Sequence, residues 1–271
     1  MSPKRKLTPQ EEARLAQVKE SFQKRKEITS GVASIKNKIG VYSGKGGVGK
    51  TTVAVNLACS LSQLGNSVGI FDVDIDCPNV ANIIHLTEGP TQDDKDGKFH
   101  PSSRFDVKVM SMSFFHENEE EATIWRGPMI TNAINQLLQM TNWGELDYLI
   151  VDLPPGTSDG PLTVMQTLNL EGFVIVTAPQ TVAKLDAIRS VNMIKKLNQK
   201  VIGVVENFSG PVFGTGAGIE ISEQFDVPLL GSVSLNGEHN QGTKPASLTS
   251  KTVKDEFLKI STGVIDSLGK S

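Results

Sequence analysis

From Ile39 onward, short apolar runs alternate with segments in which apolar residues recur at helical spacing. Runs such as 148–151 and 173–176 are continuously apolar, which is typical of strands buried on both faces of a parallel sheet. The predicted strands cover residues 39–43, 67–72, 107–112, 147–152, 172–178, 201–206 and 228–232. The predicted helices cover residues 50–64, 129–140, 181–198, 218–225 and 250–268, and residues 89–104 are expected to form a mobile polar loop.

This alternation predicts an α/β fold in which a doubly wound, mostly parallel sheet carries helices on both faces. Ligands of such folds bind beyond the carboxyl ends of the strands. The predicted domain covers residues 38–271, and residues 1–37 form a polar N-terminal arm that is either helical or mobile. Within this arm, residues 9–26 fit a helix with Thr8 as N-cap and Glu11 in a capping box.

Composition and charge narrow the class of protein. The chain has 271 residues and a net charge of −3, so its overall charge does not favour binding to nucleic acid or to an anionic membrane. Its two cysteines, Cys59 and Cys77, cannot build a disulfide framework, which indicates a reducing compartment. With no secretory signal and no apolar run of membrane-spanning length, we expect a cytoplasmic location without nucleic-acid or membrane partners.

Residues 43–52, Ser-Gly-Lys-Gly-Gly-Val-Gly-Lys-Thr-Thr, match the phosphate-binding loop pattern G-x-x-x-x-G-K-[ST]. Glycines let the backbone curl around phosphate oxygens and point N–H groups at them. Lys50 would add positive charge near the β- and γ-phosphates of ATP, and the Thr51 hydroxyl would ligate Mg²⁺. The candidate nucleotide-binding residues of this loop are Gly44, Lys45, Gly46, Gly47, Val48, Gly49, Lys50, Thr51 and Thr52.

The context of the loop supports this interpretation. A β-prone run precedes it at residues 39–43, and helical periodicity follows it from Thr52. Strand, glycine loop and helix thus occur in the order that a phosphate-binding loop requires, and the helix would direct its positive dipole end toward the phosphates. The alternative is an ordinary glycine-rich turn between a strand and a helix.

Two groups of acidic residues lie where the predicted sheet would bring them near this loop. Asp72, Asp74 and Asp76 alternate at the end of one predicted strand, and Asp152 ends another, strongly apolar strand. Beside Mg²⁺ and phosphate, one acid would hold the metal and another would orient the attacking water. Asp152 fits the Walker B acid, which binds Mg²⁺ through water or through Thr51. The alternative for the first group is a helix cap or a solvated turn.

Because it has an extra lysine, Lys45, the loop at residues 43–52 resembles the deviant Walker A loop of the MinD/ParA/ArsA/NifH class of ATPases. More narrowly, the chain resembles the Mrp family of ApbC-like iron–sulfur cluster carrier ATPases over residues 38–235. The segments that carry this resemblance are 71–78, 125–129, 143–148, 152–159, 178–180, 205–209 and 227–231.

The resemblance implies roles for particular residues. It implies an ATPase in which a homodimer sandwiches ATP with Mg²⁺, and in which Lys45 reaches the phosphates held by the other subunit. Asp74 would then lie near Mg²⁺, Asp72 near the attacking water, and Asn207 would read the adenine edge. The candidate catalytic residues are Lys45, Lys50, Asp72 and Asp74, and the candidate Mg²⁺ ligands are Thr51, Asp74 and Asp152.

One departure from the family concerns its cargo. Members of the family have a Cys-x-x-Cys pair after the Glu-Asn-x-Ser stretch, and two subunits together bind a 4Fe–4S cluster there. This chain continues from Ser209 directly to Gly-Pro-Val-Phe-Gly-Thr-Gly at residues 210–216, so the cysteine pair is missing. Four thiolates are the usual ligands of such a cluster, and two copies of Cys77 would supply two. We therefore doubt that the chain binds a 4Fe–4S cluster.

Three hypotheses for the function follow. The first is a homodimeric Mrp-type ATPase of iron–sulfur cluster assembly or transfer, without a cluster of its own, that serves iron–sulfur apo-proteins or scaffold proteins. The second is a MinD/ParA-like nucleotide switch that binds a membrane, DNA or a partner protein. For that switch, the apolar face of the last predicted helix would contact a membrane, unless it packs against the domain. The third is a nucleotide-gated binding module with little turnover.

Overall fold

Eight strands form one sheet in the computed structural model, which describes residues 32–95, 97–115, 127–156, 159–168, 170–235, 237 and 243–269. Across the sheet the strand order is β10-β9-β8-β1-β7-β2-β6-β5, and all neighbours are parallel except β5 and β6. The strands of this sheet are β1 (Ile35–Tyr42), β2 (Val68–Asp72), β5 (Ser102–Arg104), β6 (Val107–Ser111), β7 (Leu146–Asp152), β8 (Gly172–Thr177), β9 (Val201–Ser209) and β10 (Leu229–Ser234). A separate antiparallel pair joins β3 (Thr91–Gln92) to β4 (Phe99–His100).

Helices cover both faces of the sheet, as the alternation of the sequence predicts. The described helices are α1 (Lys50–Gln63), α2 (Val80–Ile83), a 3₁₀ turn (Met112–Phe115), α3 (Gly127–Met140), α4 (Asp159–Thr167), α5 (Thr181–Lys196), α6 (Ala217–Phe225), α7 (Ala246–Thr249) and α8 (Lys251–Gly269). The buried apolar residues of α1 and α8 belong to one apolar cluster, whereas those of α3, most of those of α5 and Ile221 of α6 belong to a second. The doubly wound, mostly parallel fold is thereby confirmed.

The two core clusters follow from the alternation of side chains along each central strand. In β7, Ile150 belongs to the cluster of α1 and α8, whereas Leu149 and Val151 belong to the opposite one. Because both faces of the strand are covered, its residues 148–151 form a continuous apolar run that ends at Asp152.

Strand register brings the carboxyl ends of three central strands together. Val41 of β1 lies opposite Asp152 of β7, and Asp72 of β2 lies opposite the same aspartate. The loop that follows β1 and the two strand-end acids therefore meet at one edge of the sheet. This is the edge at which open α/β folds bind their ligands.

The last helix, α8, buries its apolar face in the domain, which was one of the two alternatives for that face. Val253, Phe257, Ile260 and Val264 of α8 are fully buried in the core, and Leu258 is 42% exposed. The apolar face thus packs against the domain and is not presented to a membrane. No helix among the described residues has the length and apolarity needed to cross a membrane.

Several elements differ from the sequence predictions. β1 begins at Ile35 rather than at residue 39, because residues before the apolar run still pair with β7. Residues 89–104, expected to be a mobile loop, contain β3, β4 and β5. Helices α2 and α7 have four residues each, too few to show a clear apolar period, and we did not predict them or the nine-residue helix α4. The predicted arm helix at residues 9–26 lies outside the described residues.

Candidate functional site

The loop between β1 and α1 has the backbone conformation that its glycines allow. Gly47 and Gly49 have φ angles of 82° and 77°, in the left-handed region that side chains disfavour. A Cβ at Gly44 would lie 2.1 Å from the carbonyl oxygen of Asp186 in α5, so this glycine lets the loop pack against a helix. A Cβ at Gly47 would meet no atom within 4 Å, so this part of the loop opens outward.

Helix α1 begins at the end of this loop with its first N–H groups available. Its N-cap is Gly49, which provides no side-chain hydrogen bond. None of the N–H groups of residues 45–49 donates to a backbone carbonyl of a described residue. Unpaired N–H groups together with the positive end of a helix dipole form an anion site. The structure thus fits the phosphate-binding role that the sequence predicts for this loop.

A buried ion pair joins the loop to β7. The Lys50 ammonium donates to Oδ1 of Asp152 at 2.6 Å, and the Thr51 hydroxyl donates to Oδ2 of the same carboxylate at 2.7 Å. Lys50 and Asp152 are 6% and 0% exposed. A second carboxylate, that of Asp74, lies 4.0 Å from the Lys50 ammonium. One lysine therefore lies between two acids that lie far apart in the sequence.

Asp72 and Asp74 occupy different positions although both are buried. Oδ2 of Asp72 accepts hydrogen bonds of 3.0 Å from the Val80 amide and from the Ser111 hydroxyl, and Oδ1 accepts from the Asp74 amide at 3.2 Å. Asp74 faces Lys50, and its Oδ1 accepts from the Cys77 amide at 3.2 Å. Asp72 thus anchors the loop that follows β2, and Asp74 is the acid of this loop that faces Lys50.

Burial raises the pKa of both acids. It raises the pKa of Asp72 to about 7, with a further increase from the nearby Asp152 and a partial offset from the Val80 amide. It raises the pKa of Asp74 to about 6, although the positive charge of Lys50 acts in the opposite direction. Three acids around a single lysine leave negative charge uncompensated, and a cation would remove this excess.

The family resemblance singles out Asn207, which contacts the phosphate loop from β9, and Lys45, which belongs to the loop itself. The side-chain amide of Asn207, at the end of β9, donates to the carbonyl of Val48 at 2.9 Å. Its nitrogen is so close to Gly49 that a Cβ there would lie 2.1 Å away. Lys45 is half-buried, and its ammonium forms no hydrogen bond or ion pair with any described residue. It is therefore available for a partner outside this chain.

Glu206 is a buried acid whose structural role the sequence analysis missed. Its carboxylate accepts hydrogen bonds from the Ser209 hydroxyl at 2.8 Å and from the amides of Gly216 and Gly218 at 3.0 Å and 2.8 Å. Gly216 caps α6, so the negative charge lies at the positive end of that helix. The Glu-Asn-x-Ser stretch can be recognised in the sequence. Its partners, the amides of Gly216 and Gly218, lie beyond a turn, and only the folded structure shows that they return to the Glu206 carboxylate.

Neither cysteine belongs to a cluster of metal ligands. Cys59 is buried in α1, and burial raises the pKa of its thiol to about 12. Cys77 is exposed in the loop after Asp74. Within the described part of the chain, no group of three or more His, Cys, Asp or Glu side chains is arranged to hold a metal ion. A 4Fe–4S cluster usually takes four thiolate ligands, and each copy of this chain has two cysteines, one of which is buried in α1.

The raised pKa values predict how the stability of the nucleotide-free protein depends on pH. Unfolded aspartates titrate near pH 4, whereas Asp72 and Asp74 keep their protons until about pH 7 and 6. The stabilisation from the protonated carboxyls is thus complete below about pH 4 and is lost as the pH rises toward 7. Without nucleotide and Mg²⁺, the thermal unfolding midpoint should fall between pH 5 and pH 8, as measured by calorimetry.

Asp72→Asn should flatten this pH profile because the amide does not titrate. Asp255→Asn, which changes an exposed acid in α8, is the matched control and should leave the profile as it is. Parallel profiles for the wild-type protein and Asp72→Asn would show that Asp72 is already ionised in the folded protein at pH 5.

Comparisons with known proteins agree with this geometry. The model of the ParA family described as "NUBPL iron-transfer P-loop NTPase" matches residues 34–267. A nucleotide-binding protein from Archaeoglobus fulgidus, solved in complex with ADP, is 29% identical with a TM-score of 0.68, over 89% of this chain and 92% of that one. The cell-division ATPase MinD of Pyrococcus furiosus shares the fold at 21% identity, with a TM-score of 0.65, over 85% of this chain and 98% of that one.

Curated relatives define the family more narrowly. The iron–sulfur cluster carrier protein of Methanocaldococcus jannaschii is 36% identical over 89% of this chain and 88% of its own length. That of Synechocystis is 44% identical over 75% of this chain, and the match spans 62% of the length of the relative. By its fold, its phosphate loop and these matches, the chain belongs to the iron-transfer P-loop NTPases of the ParA family, whose relatives include the iron–sulfur cluster carrier proteins.

Proposed function

We propose that the chain binds ATP with Mg²⁺ and hydrolyses it as a homodimer, in the service of iron–sulfur cluster assembly or transfer. The observation that carries this proposal is the placement of the Lys50 ammonium, 2.6 Å from Asp152 and 4.0 Å from Asp74, at the start of a helix with unpaired N–H groups. P-loop NTPases transfer phosphoryl groups with such parts: a loop and its lysine that bind the phosphates, and a hydroxyl and an acid that hold Mg²⁺.

The residues present fit Mg²⁺. This ion prefers oxygen ligands and is held in nucleotide sites by one or two protein groups together with phosphate oxygens. The Thr51 hydroxyl and the carboxylates of Asp74 and Asp152 supply such oxygens, and the charge of Lys50 already compensates part of their negative charge. When bound, Mg²⁺ would neutralise charge on the phosphates.

The protein groups would divide the work as follows. The N–H groups of the loop and Lys50 bind and orient the phosphates, so that the γ-phosphate meets positive charge where negative charge develops. Asp74 would act at the Mg²⁺ ion, a role that its position 4.0 Å from the Lys50 ammonium supports. The Asp72 carboxylate accepts three hydrogen bonds and thereby holds the loop that carries Asp74. The location of Asp72 near the attacking water stays a prediction.

Lys45 and Asn207 would complete the site. The free ammonium of Lys45 supports a role in the partner subunit of a homodimer, where it would reach phosphates that the other copy holds. Asn207 lies against the loop through Val48, which places its amide beside the nucleotide cradle. Its role as the reader of adenine stays a prediction, as does the cytoplasmic location.

The cargo is the point at which this chain would differ from its relatives. Those relatives are named iron–sulfur cluster carrier proteins, and we propose that this chain acts on the same cargo without holding a 4Fe–4S cluster itself. The two cysteines of the chain support this, because one is buried in α1 and the other stands alone. Iron–sulfur apo-proteins or scaffold proteins would then be its partners.

A MinD-like membrane switch has less support. The likeness to MinD concerns the fold, and the apolar face of α8 is buried in the core. A nucleotide-gated module with little turnover shares the same site, so measured turnover decides between that module and an ATPase.

The ATPase proposal predicts that Lys50→Ala and Asp74→Asn each lower kcat by at least about 100-fold, because each removes a charge that the transition state needs. Lys196→Ala changes an exposed lysine in the last turn of α5 and should keep the wild-type rate. Phosphate release with Mg-ATP measures the rate, and circular dichroism checks that each variant is folded. Turnover that survives both site substitutions would rule out this site as an ATPase.

The cargo proposal predicts that anaerobic reconstitution with iron and sulfide leaves less than about one iron per dimer, because four thiolates are the norm for such a cluster. Visible absorption and iron counting measure this, with the Methanocaldococcus jannaschii relative treated in parallel. A stable brown chromophore with about four irons per dimer would contradict the proposal. Its loss in Cys77→Ser would then assign the cluster to Cys77.

A further inference from the structure

Phe208 has a backbone conformation that is unusual for its position in the fold. Its φ angle is 60°, in the left-handed region that bulky side chains disfavour. Every other described non-glycine residue with a positive φ angle lies between elements, whereas Phe208 lies within β9. Backbone strain of this kind clusters at ligand sites, where it directs a side chain.

The strained backbone brings Phe208 to the same side of β9 as its neighbour Asn207. Side chains alternate along a strand, and the preceding residues follow this rule. Val204 belongs to the apolar cluster of α3 and α5, and Val205 belongs to that of α1 and α8. Regular alternation would place Phe208 on the side of Val204, but its ring packs against the cluster of Val205. Two successive side chains therefore face α1 and the phosphate loop.

Both side chains end at the last glycine of the phosphate loop. A Cβ at Gly49 would lie 2.1 Å from the amide nitrogen of Asn207 and 3.0 Å from Cζ of Phe208. At the other end of the loop, the atom nearest to a Cβ at Gly44 is a backbone carbonyl oxygen, that of Asp186. An amide can bond the edge of a nucleobase, and an aromatic ring can stack on its face. The end of the loop at Gly49 thus offers both groups.

A second aromatic ring packs against Phe208. The ring centroid of Phe213, on the hairpin that follows β9, lies 6.4 Å from that of Phe208, with an angle of 49° between the rings. Phe208 is half-buried and Phe213 is 41% exposed. The described residues therefore leave aromatic surface open to solvent beside the phosphate loop, as in sites that bind small molecules.

We propose that the ring of Phe208 is the platform on which the base of the bound nucleotide stacks. This inference rests on the proposed function, in which residues 44–52 hold the phosphates and Asn207 meets the edge of the base. Stacking favours a purine over a pyrimidine, because a purine has the larger aromatic surface. The positive φ angle of Phe208 then has a purpose, since it turns the ring out of the opposite core and into the nucleotide site.

Binding of ADP and of inorganic pyrophosphate to the full chain separates the base from the phosphates. Both are titrated with Mg²⁺ in a calorimeter. Phe208→Ala should weaken ADP binding at least about fivefold and keep pyrophosphate binding within about twofold, because only ADP has a base that can stack. Phe208→Tyr keeps an aromatic ring and should bind ADP as the wild-type protein does. The preference for ADP over UDP should narrow in Phe208→Ala.

Phe105→Ala is the matched control. Phe105 is also half-buried, packs against the same apolar cluster and has a positive φ angle, of 50°. It lies in the turn between β5 and β6, where Asp106 accepts a hydrogen bond from Ser62 near the far end of α1. Its substitution should leave the binding of both ligands unchanged. Circular dichroism checks each fold, and Phe208→Leu, which keeps apolar packing without a ring, replaces Phe208→Ala if the latter is unfolded.

The outcomes separate this inference from the proposed function. Equal weakening of ADP and pyrophosphate binding in Phe208→Ala would overturn the inference, because the ring would then only support the loop. Unchanged ADP binding would overturn it too. A wild-type protein that binds neither ligand would refute the proposed function and this inference with it. Because ADP binding requires no turnover, a chain that stacks the base without hydrolysing ATP would still give the expected result.

Discussion

The buried ion pair between Lys50 and Asp152 is the interaction on which the site depends. Both charges are removed from water, and such charges are tolerated only when they are paired and hydrogen-bonded. The pair fixes the end of the phosphate loop to the end of β7, and Thr51 shares the same carboxylate. Asp74 then approaches the lysine from a third strand end, with the ordered loop held by Asp72. The phosphate loop and the carboxylates of Asp74 and Asp152 are thus brought together around one charge, that of Lys50.

The sequence was sufficient for the parts of the site that are local in the chain. The phosphate loop could be predicted because its glycines, lysine and threonine are adjacent, and the central strands because burial on both faces makes them continuously apolar. The approach of Asp152 to Lys50 could be predicted only as far as a parallel sheet places strand ends at one edge. Which oxygen of Asp152 accepts from Lys50 and which from Thr51 depends on the register of β1 and β7. That register cannot be read directly from the sequence.

Other features needed the fold. The role of Glu206 depends on amides ten and twelve residues later, which a turn brings back to the same carboxylate. The different positions of Asp72 and Asp74 depend on Val80, at the start of α2, and on Ser111, at the end of the neighbouring strand β6. The short helices α2 and α7 carry too few residues for periodicity to reveal them. Long-range packing, rather than local propensity, decides these cases.

Where the family has its cysteine pair, this chain has a tight hairpin. Gly210 and Gly214 exchange two backbone hydrogen bonds, and Glu206 holds the return to α6. Val212, at the tip of this turn, is exposed. In our proposal, the chain uses the residues of the ATP site and lacks the cysteine pair that would hold a cluster.

The central claim is that Lys45 completes the site of a partner subunit, and mixing two variants tests it most directly. Lys45→Ala and Lys50→Ala should each be inactive alone, because each homodimer lacks one of the two lysines at both of its sites. In a mixed dimer, one site combines an intact Lys50 with Lys45 of the partner. An equal mixture should therefore recover about one quarter of the wild-type ATPase rate. Activity no higher than the sum of the separate variants would contradict the claim.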